Sequence, residues 1–173
     1  MIHPVDTGSV SHTLRIARNE DTPFLSALFF ERNAPRFASL GWDDLQLRSI
    51  LQMQYRARAK GYAEQFADLK DFVILDSKQQ PIGELLLHEA AGEIRIVDVC
   101  ISSSKQGRGV ATRLLRELQQ EAIVKEATIT LRVDHENPAR RLYQRLGFQK
   151  ITGDALQIEM QWIAADNKLA NKG

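Results

Sequence analysis

Apolar positions along this chain recur at two periods, and the change from one to the other marks its elements. In residues 13–18 Leu14 and Ile16 share one side, the alternation of a half-buried strand. Asp21-Thr22-Pro23 offers a capping residue and a proline at the first helical position, which predicts a helix to about Glu31. Pro35 and Gly41 bound a loop. Leu47, Leu51 and Tyr55 then fall at helical spacing behind Asp43 and Asp44, predicting a second helix to about Lys60. Arg56, Arg58 and Lys60 crowd its end, where cations suit the helix dipole. Residues 61–71 read as a loop or a broken helix.

Residues 71–76 and 82–88 are strand-like, and Ser77-Lys78-Gln79-Gln80-Pro81 between them has the composition of a hairpin turn. After Ala90-Ala91-Gly92 the run 93–101 is the next antiparallel strand. Val110, Leu114, Leu115, Leu118 and Ile123 form the apolar stripe of a helix whose other side carries Arg113, Arg116, Glu117 and Gln120. In 127–133 Ile129, Leu131 and Val133 alternate with Thr128, Thr130 and Arg132. Strand, helix and strand in that order predict a right-handed parallel crossover, hence a mixed sheet whose parallel pair is 93–101 with 127–133. Asn137 caps a further helix, Pro138 takes its first position, and Gly147 ends it with Phe148 folded back. Leu156, Ile158, Met160 and Trp162 mark a final strand.

Composition narrows the class. At 173 residues and 43% hydrophobic content the chain is one α/β domain, expected over 13–163, with flexible segments at 1–12 and 164–173. Its 23 basic and 22 acidic residues leave a net charge of +1, which gives no general attraction to nucleic acid or to an anionic membrane. Cys100 is the single cysteine, so no internal disulfide forms. It lies in an apolar strand and reads as packing. No Cys/His cluster has metal-ligand spacing, the N-terminus lacks the apolar run of a signal peptide, and no stretch approaches the ~20 apolar residues of a membrane span. A soluble cytoplasmic protein is expected.

The stretch Gln106-Gly107-Arg108-Gly109-Val110-Ala111 joins the strand 93–101 to the helix that follows. A helix start leaves backbone N–H groups unpaired and carries partial positive charge, so a phosphate placed there meets several donors at once. Glycine permits strained angles and close approach, and Ala111 is too small to shield the amides. A tight strand-to-helix connection explains the same residues without a ligand. The turn is neither the Lys-Ser/Thr phosphate loop nor the three-glycine dinucleotide fingerprint.

Gln106-x-x-Gly109-x-Ala111 resembles the Gln/Arg-x-x-Gly-x-Gly/Ala signature of the GCN5-related N-acetyltransferases, the GNAT superfamily. The block from Asn137 to Phe148 is similar to that family's Asn-x-x-Ala-x-x-Leu-Tyr-x-Lys-x-Gly-Phe helix, and stands in the right order. Ser102-Ser103-Ser104 departs from a proline common there. The resemblance is close from about Glu93 to Phe148. It implies a GNAT-type, mostly antiparallel sheet of six to seven strands with flanking helices, and acetyl-CoA as cosubstrate with no metal. The acetyl group would pass directly, in a ternary complex, to a primary amine of a small molecule or peptide. The alternative is a non-catalytic module that binds acyl-CoA. No nucleic acid or membrane partner is implied, and the protein would be a monomer or homodimer.

By the same resemblance Gln106, Gly107, Arg108, Gly109, Val110, Ala111 and Thr112 would hold the pyrophosphate. The backbone of Val99, Cys100 and Ile101 would line the pantetheine arm where the parallel strands splay, with the Val99 amide as donor to the carbonyl oxygen. Tyr143 would protonate the leaving thiolate, or else pack in the core. Asn137 caps its helix and would touch the cofactor arm; Arg145 would meet a phosphate or satisfy its helix end. Glu93 stands where some ribosomal-protein acetyltransferases carry a base, and equally reads as a solvated strand-end charge. His88 and His135 are alternative bases. Glu93 shares side-chain parity with Arg95, Val97 and Val99, and Asp98, opposite, would fix Arg132 or line the cleft. The second helix and residues 61–70, with Tyr55, Tyr62, Glu64 and Phe66, would form the acceptor wall.

Overall fold

A computed structural model describes residues 12–164. The chain runs through β1 (His12–Ile16), α1 (Thr22–Asn33), α2 (Asp44–Gln65), β2 (Lys70–Asp76), β3 (Pro81–Ala90), β4 (Glu93–Ile101), α3 (Val110–Val124), β5 (Thr128–Asp134), α4 (Ala139–Arg145), β6 (Gln149–Gly153) and β7 (Gln157–Trp162). One seven-stranded sheet has the order β1-β2-β3-β4-β5-β7-β6. All neighbours are antiparallel except β4 and β5, which is the mixed sheet and the parallel pair that the strand, helix, strand order implied. The flexibility expected of the two ends falls on 1–11 and 165–173, outside the described residues; His12 opens β1 and Ala164 is buried.

Adjacent residues of a strand face opposite ways, and Val73 and Ile74 on β2 show what each face does. Ile74 joins Leu85, Leu87, Ile94, Ile96 and the stripe of α3 in the main core, which Tyr143 and Phe148 extend. Val73 and Leu75 instead meet Leu25 of α1 in a small cluster. So α3 and α4 cover one face and α1 and α2 the other. The second face is the less apolar, for α2 buries only Leu51 among its 22 residues.

Several boundaries moved for identifiable reasons. Asp21 does not cap α1 through its side chain. Its carboxylate takes two hydrogen bonds from Arg15, at 2.8 and 2.9 Å, and one from the Arg18 N–H at 2.7 Å. The capping box of α2 is Asp43 with Gln46, each side chain accepting from the other's N–H. That helix passes through Gly61 to Gln65, a placement that costs about 1 kcal/mol against alanine but lets Tyr62 and Phe66 continue its inner face, Phe66 lying 5.4 Å from the His88 ring. On α3 it is Ala122, not Ile123, that points inward; Ile123 is 45% exposed. β6 was not foreseen because all five of its residues are exposed. Leu156 is 77% exposed and precedes the last strand, in a turn whose Asp154 carboxylate accepts from the N–H groups of Leu156 and Gln157.

Asn137 caps α4 as its sequence suggests, Oδ1 accepting from the Ala139 N–H at 2.9 Å. At the other end Gly147 is left-handed, with φ +87°. The N–H of Phe148 reaches the Tyr143 carbonyl and that of Gly147 the Gln144 carbonyl, both at 3.0 Å, the two bonds of a Schellman motif. This closure brings the Phe148 ring to 5.7 Å from Tyr143.

Candidate active site

β4 and β5 are paired only from Glu93 opposite Thr128 to Ile96 opposite Leu131. Beyond that point β4 follows β3 alone, while β5 stays with β7 as far as Asp134. A bulge accompanies the parting: on β3, Leu87 faces Ile96 and Leu86 faces Asp98, so Val97 is an extra residue, and such an insertion bends its strand. It also reverses the alternation. Ile94, Ile96, Val99 and Ile101 all share the main core face, and Asp98 comes onto the face of Arg95 rather than the opposite one. The Ser102 N–H donates to the Ile82 carbonyl of β3 at 2.9 Å. By the alternation of an extended chain Cys100 turns its main-chain groups the same way, and Val99 and Ile101 turn theirs into the gap left by β5. The Ile101 carbonyl is taken there by Gln106 Nε2 at 2.8 Å, so Gln106 braces the strand end against the turn.

The serine run forms a short 3-10 turn, Ser103–Lys105. Gly107 and Gly109 then take φ of +72° and +80°. A Cβ on either would meet nothing within 4 Å, so conformation, not crowding, calls for glycine here. α3 begins with no side-chain cap, and its first backbone bond runs from the Arg113 N–H to the Gly109 carbonyl at 3.0 Å. The N–H groups of Val110, Ala111 and Thr112 therefore face outward without helical partners. They border a hollow of about 320 Å³ lined by Ile101, Gln106, Gly107, Gly109, Thr112 and Arg145 among others. Free amides, the positive end of a helix and a guanidinium suit a phosphate group. Arg108 and Asn137 do not line it.

Tyr143 is part of the main core, 6% exposed, on the same helix as Leu142 and Arg145, which line the hollow. Burial first, and the charge of Asp98 second, push its phenol up to about 12. Cys100 is buried as well, and its thiol rises to about 11, mainly through burial; at neutral pH it is an uncharged packing group, as read from the sequence.

On the α1/α2 face the sequence reading was wrong about Arg58 and Asp98. Arg58 does not serve the end of α2. Its Nη2 donates to Glu84 at 2.8 Å and to Asp98 at 2.7 Å, and its guanidinium stands 5.3 Å from the Tyr62 ring centre. Asp98 is held by Arg58 and by both Nη atoms of Arg32, each at 2.9 Å, not by Arg132. Burial alone would raise the Asp98 carboxyl; the two guanidiniums outweigh it and hold the carboxyl below its ordinary range. Arg32 and Glu84 were missed. A lone glutamate inside Ile82-Gly83-Glu84-Leu85-Leu86-Leu87 was the available signal, since a buried carboxylate requires a partner. Glu64 is exposed and pairs with Lys60 at 3.8 Å.

Glu93 is not brought to this site. It begins β4, where the strands are still paired, accepts from the Thr130 hydroxyl and lies 3.8 Å from Arg95. Six residues of strand put it about 20 Å from Val99, beyond the reach of direct or single-water proton transfer. His88 sits against Phe66 on that same face, and His135 Nε2 meets the Asp154 carbonyl at 2.9 Å.

Among the described residues no group of three or more His, Cys, Asp or Glu could hold a metal ion, and no helix is long and apolar enough to cross a membrane. A sequence comparison with curated proteins finds no match. The fold is similar to PaiA N-acetyltransferase from Thermoplasma acidophilum in complex with coenzyme A, at 16% identity and TM-score 0.67, covering 89% of this chain and 99% of that one. It is similar also to spermidine N-acetyltransferase from Vibrio cholerae in complex with CoA and spermine, at 23% identity, TM-score 0.58 and coverage of 91% and 98%. A ribosomal-protein alanine N-acetyltransferase from Escherichia coli matches at 20% identity, TM-score 0.57 and the same coverage, 91% and 98%. A family model for the acetyltransferase (GNAT) domain matches residues 46–164. That region runs from the first turn of α2 to just past β7 and holds the split strands, the glycine turn and α4 together: this chain belongs to the GNAT acetyltransferase family.

Proposed function

We propose that this protein is an acetyl-CoA-dependent N-acetyltransferase that moves the acetyl group directly to a primary amine of a small molecule or peptide. The observation that carries this reading is the adjacency of two openings: the uncapped start of α3 and the gap between β4 and β5, joined through Gln106 and Ile101. The amides of Val110, Ala111 and Thr112 and the Arg145 guanidinium would hold the pyrophosphate, and the gap would take the pantetheine arm. The Val99 N–H, turned into the gap, would donate to the carbonyl oxygen as it gains negative charge.

Tyr143 would meet the departing sulfur. A phenol near 12 would lose free energy on the order of 5 kcal/mol by complete transfer to a thiolate whose ordinary value is ~8.5. Its role is therefore a hydrogen bond to the sulfur as charge develops, with the proton passing late. For the amine, Asp98 is an ion-pair partner rather than a base and Glu93 is too distant. The acceptor would then react from its unprotonated fraction or pass its proton to water.

Thiol release from acetyl-CoA, followed over a panel of primary alkylamines and peptides, tests the proposal. Release that depends on one acceptor class supports it; tight acetyl-CoA binding with no release for any amine would instead support a binding module.

A further inference from the structure

A second hollow, of about 370 Å³, lies where α1 and α2 meet the β1–β2 edge. Asp71 shares a face of β2 with Val73, which packs on Leu25, so its carboxylate lies beneath α1 and α2. No described residue donates to that carboxylate, and Oδ1 is shut off from solvent. The cations nearby are committed elsewhere. Arg15 holds Asp21, Arg58 is shared by Glu84 and Asp98, and Arg18, which also lines the hollow, reaches Glu20 at 3.4 Å. Lys70, one residue away and so on the other face, lies 2.7 Å from Glu89.

An unpaired carboxylate under a helix layer is costly. Burial and the charge of Glu84 push Asp71 up to about 6. Around it Ala17, Leu25 and Leu69 supply apolar wall and Tyr55 an aromatic ring. A hard metal ion would ask for six or more oxygen ligands, and the described residues gather no such group here. An organic cation asks for what is present: one carboxylate, a π face and a dry wall for its carbon tail.

We propose that this hollow binds an alkylammonium ion, with its charged head on Asp71 beside Tyr55 and its tail along Ala17, Leu25 and Leu69. β2 and β3 stand between the hollow and β4, so an amine held here is not the one acetylated. The site is a second amine-binding site, separate from acetyl transfer and not dependent on it.

An NMR titration of the full chain with n-butylammonium chloride, at pH 7.5, fixed ionic strength and without acetyl-CoA, tests this. Saturable shifts at Ala17, Leu25 and Asp71 are expected, with affinity at least ten-fold weaker in Asp71→Asn. Ala17→Leu, which narrows the hollow but keeps the carboxylate, should weaken binding as well. Asp21, Glu84, Tyr55, Arg15 and Arg58 face Asp71 from the surrounding elements; of the carboxyls whose pKa is displaced there, only that of Asp71 is raised towards neutrality. Affinity should therefore fall about ten-fold at pH 5.0, as Asp71 takes up its proton. Absence of saturable shifts, shifts confined to the β4–β5 gap, or unchanged affinity in Asp71→Asn would overturn the proposal. Because no acyl donor is present, these outcomes are independent of whether the acetyl-transfer assay succeeds.

Discussion

Arg58 Nη2 lies 2.7 Å from Asp98 Oδ2 and 2.8 Å from Glu84 Oε2, so one guanidinium on α2 ties together carboxylates of two adjacent strands. Arg32 adds a bidentate pair from α1 to the same Asp98. The layer that would face an acceptor is thus fastened by charge to the residue between the β4 bulge and Val99. Replacing Asp98 by Asn leaves two guanidiniums short of a partner, and should cost about 3 kcal/mol in denaturant unfolding at pH 7. The sign with pH follows from a folded-state pKa held below the ordinary value of ~3.9. The stabilisation is present above that value and is lost as pH falls through the lower folded one. Wild type and Asp98→Asn should therefore converge in stability on acidification below about pH 4.

Tyr143→Phe keeps the ring against Phe148 and removes only the hydroxyl. If the phenol bonds the departing sulfur, kcat should fall by ~10² to 10⁴ while acetyl-CoA affinity stays within a few-fold. A kcat within a few-fold of wild type, with altered stability, would return Tyr143 to the core.

Gly109→Val is a poor probe of the phosphate turn, because its φ of +80° would strain a β-branched residue whatever binds. Thr112→Glu separates the effects. In the first turn of α3 a glutamate suits the helix dipole, so the melting temperature should hold or rise. Its charge would repel the pyrophosphate, and calorimetry should show acetyl-CoA binding weakened by about ten-fold or more. Unchanged affinity would remove the phosphate from this turn.

Proton removal should follow the acceptor. The rising limb of kcat/KM against pH is expected to move with the pKa of the amine when a second acceptor of lower pKa is used, and to be the same in Glu93→Gln. A limb fixed in pH that disappears in Glu93→Gln would restore Glu93 as the base and contradict its distance from the gap.

Asp71→Asn should stabilise the protein. A carboxyl raised to about 6 costs nothing below its unfolded value of ~3.9 and its full amount above the folded one. With allowance for its partial exposure to solvent the gain should be on the order of 1 kcal/mol at pH 8, vanishing below pH ~4. A destabilised Asp71→Asn at pH 8 would mean that the carboxylate has a partner in solution.

Local chemistry made much of this molecule legible in advance. An apolar, β-branched run located β4, alternation located β5, the 3.6-residue stripe located α3, and Asn137 with Gly147 set the limits of α4, because each signal is complete within a few neighbouring residues. β6 has no buried residue and so no apolar pattern to read, and α2 outran its expected end because Phe66 found partners on β3 and β4 and Tyr62 packs near Phe66.

The glycine turn, the helix behind it and the parallel crossover from β4 to β5 were therefore determined by the sequence alone: φ preferences, capping and periodicity act between near neighbours. Which strand would part from which was decided only in three dimensions, since the bulge at Val97 exists in relation to the spacing of residues on β3. The same holds for the charges. Arg58 and Asp98 stand 40 residues apart and Arg32 and Asp98 stand 66 apart, so neither partner carries a local sign of the other. Ion pairs of that separation form when packed layers bring desolvated charges together, and only the tertiary structure selects which ones meet.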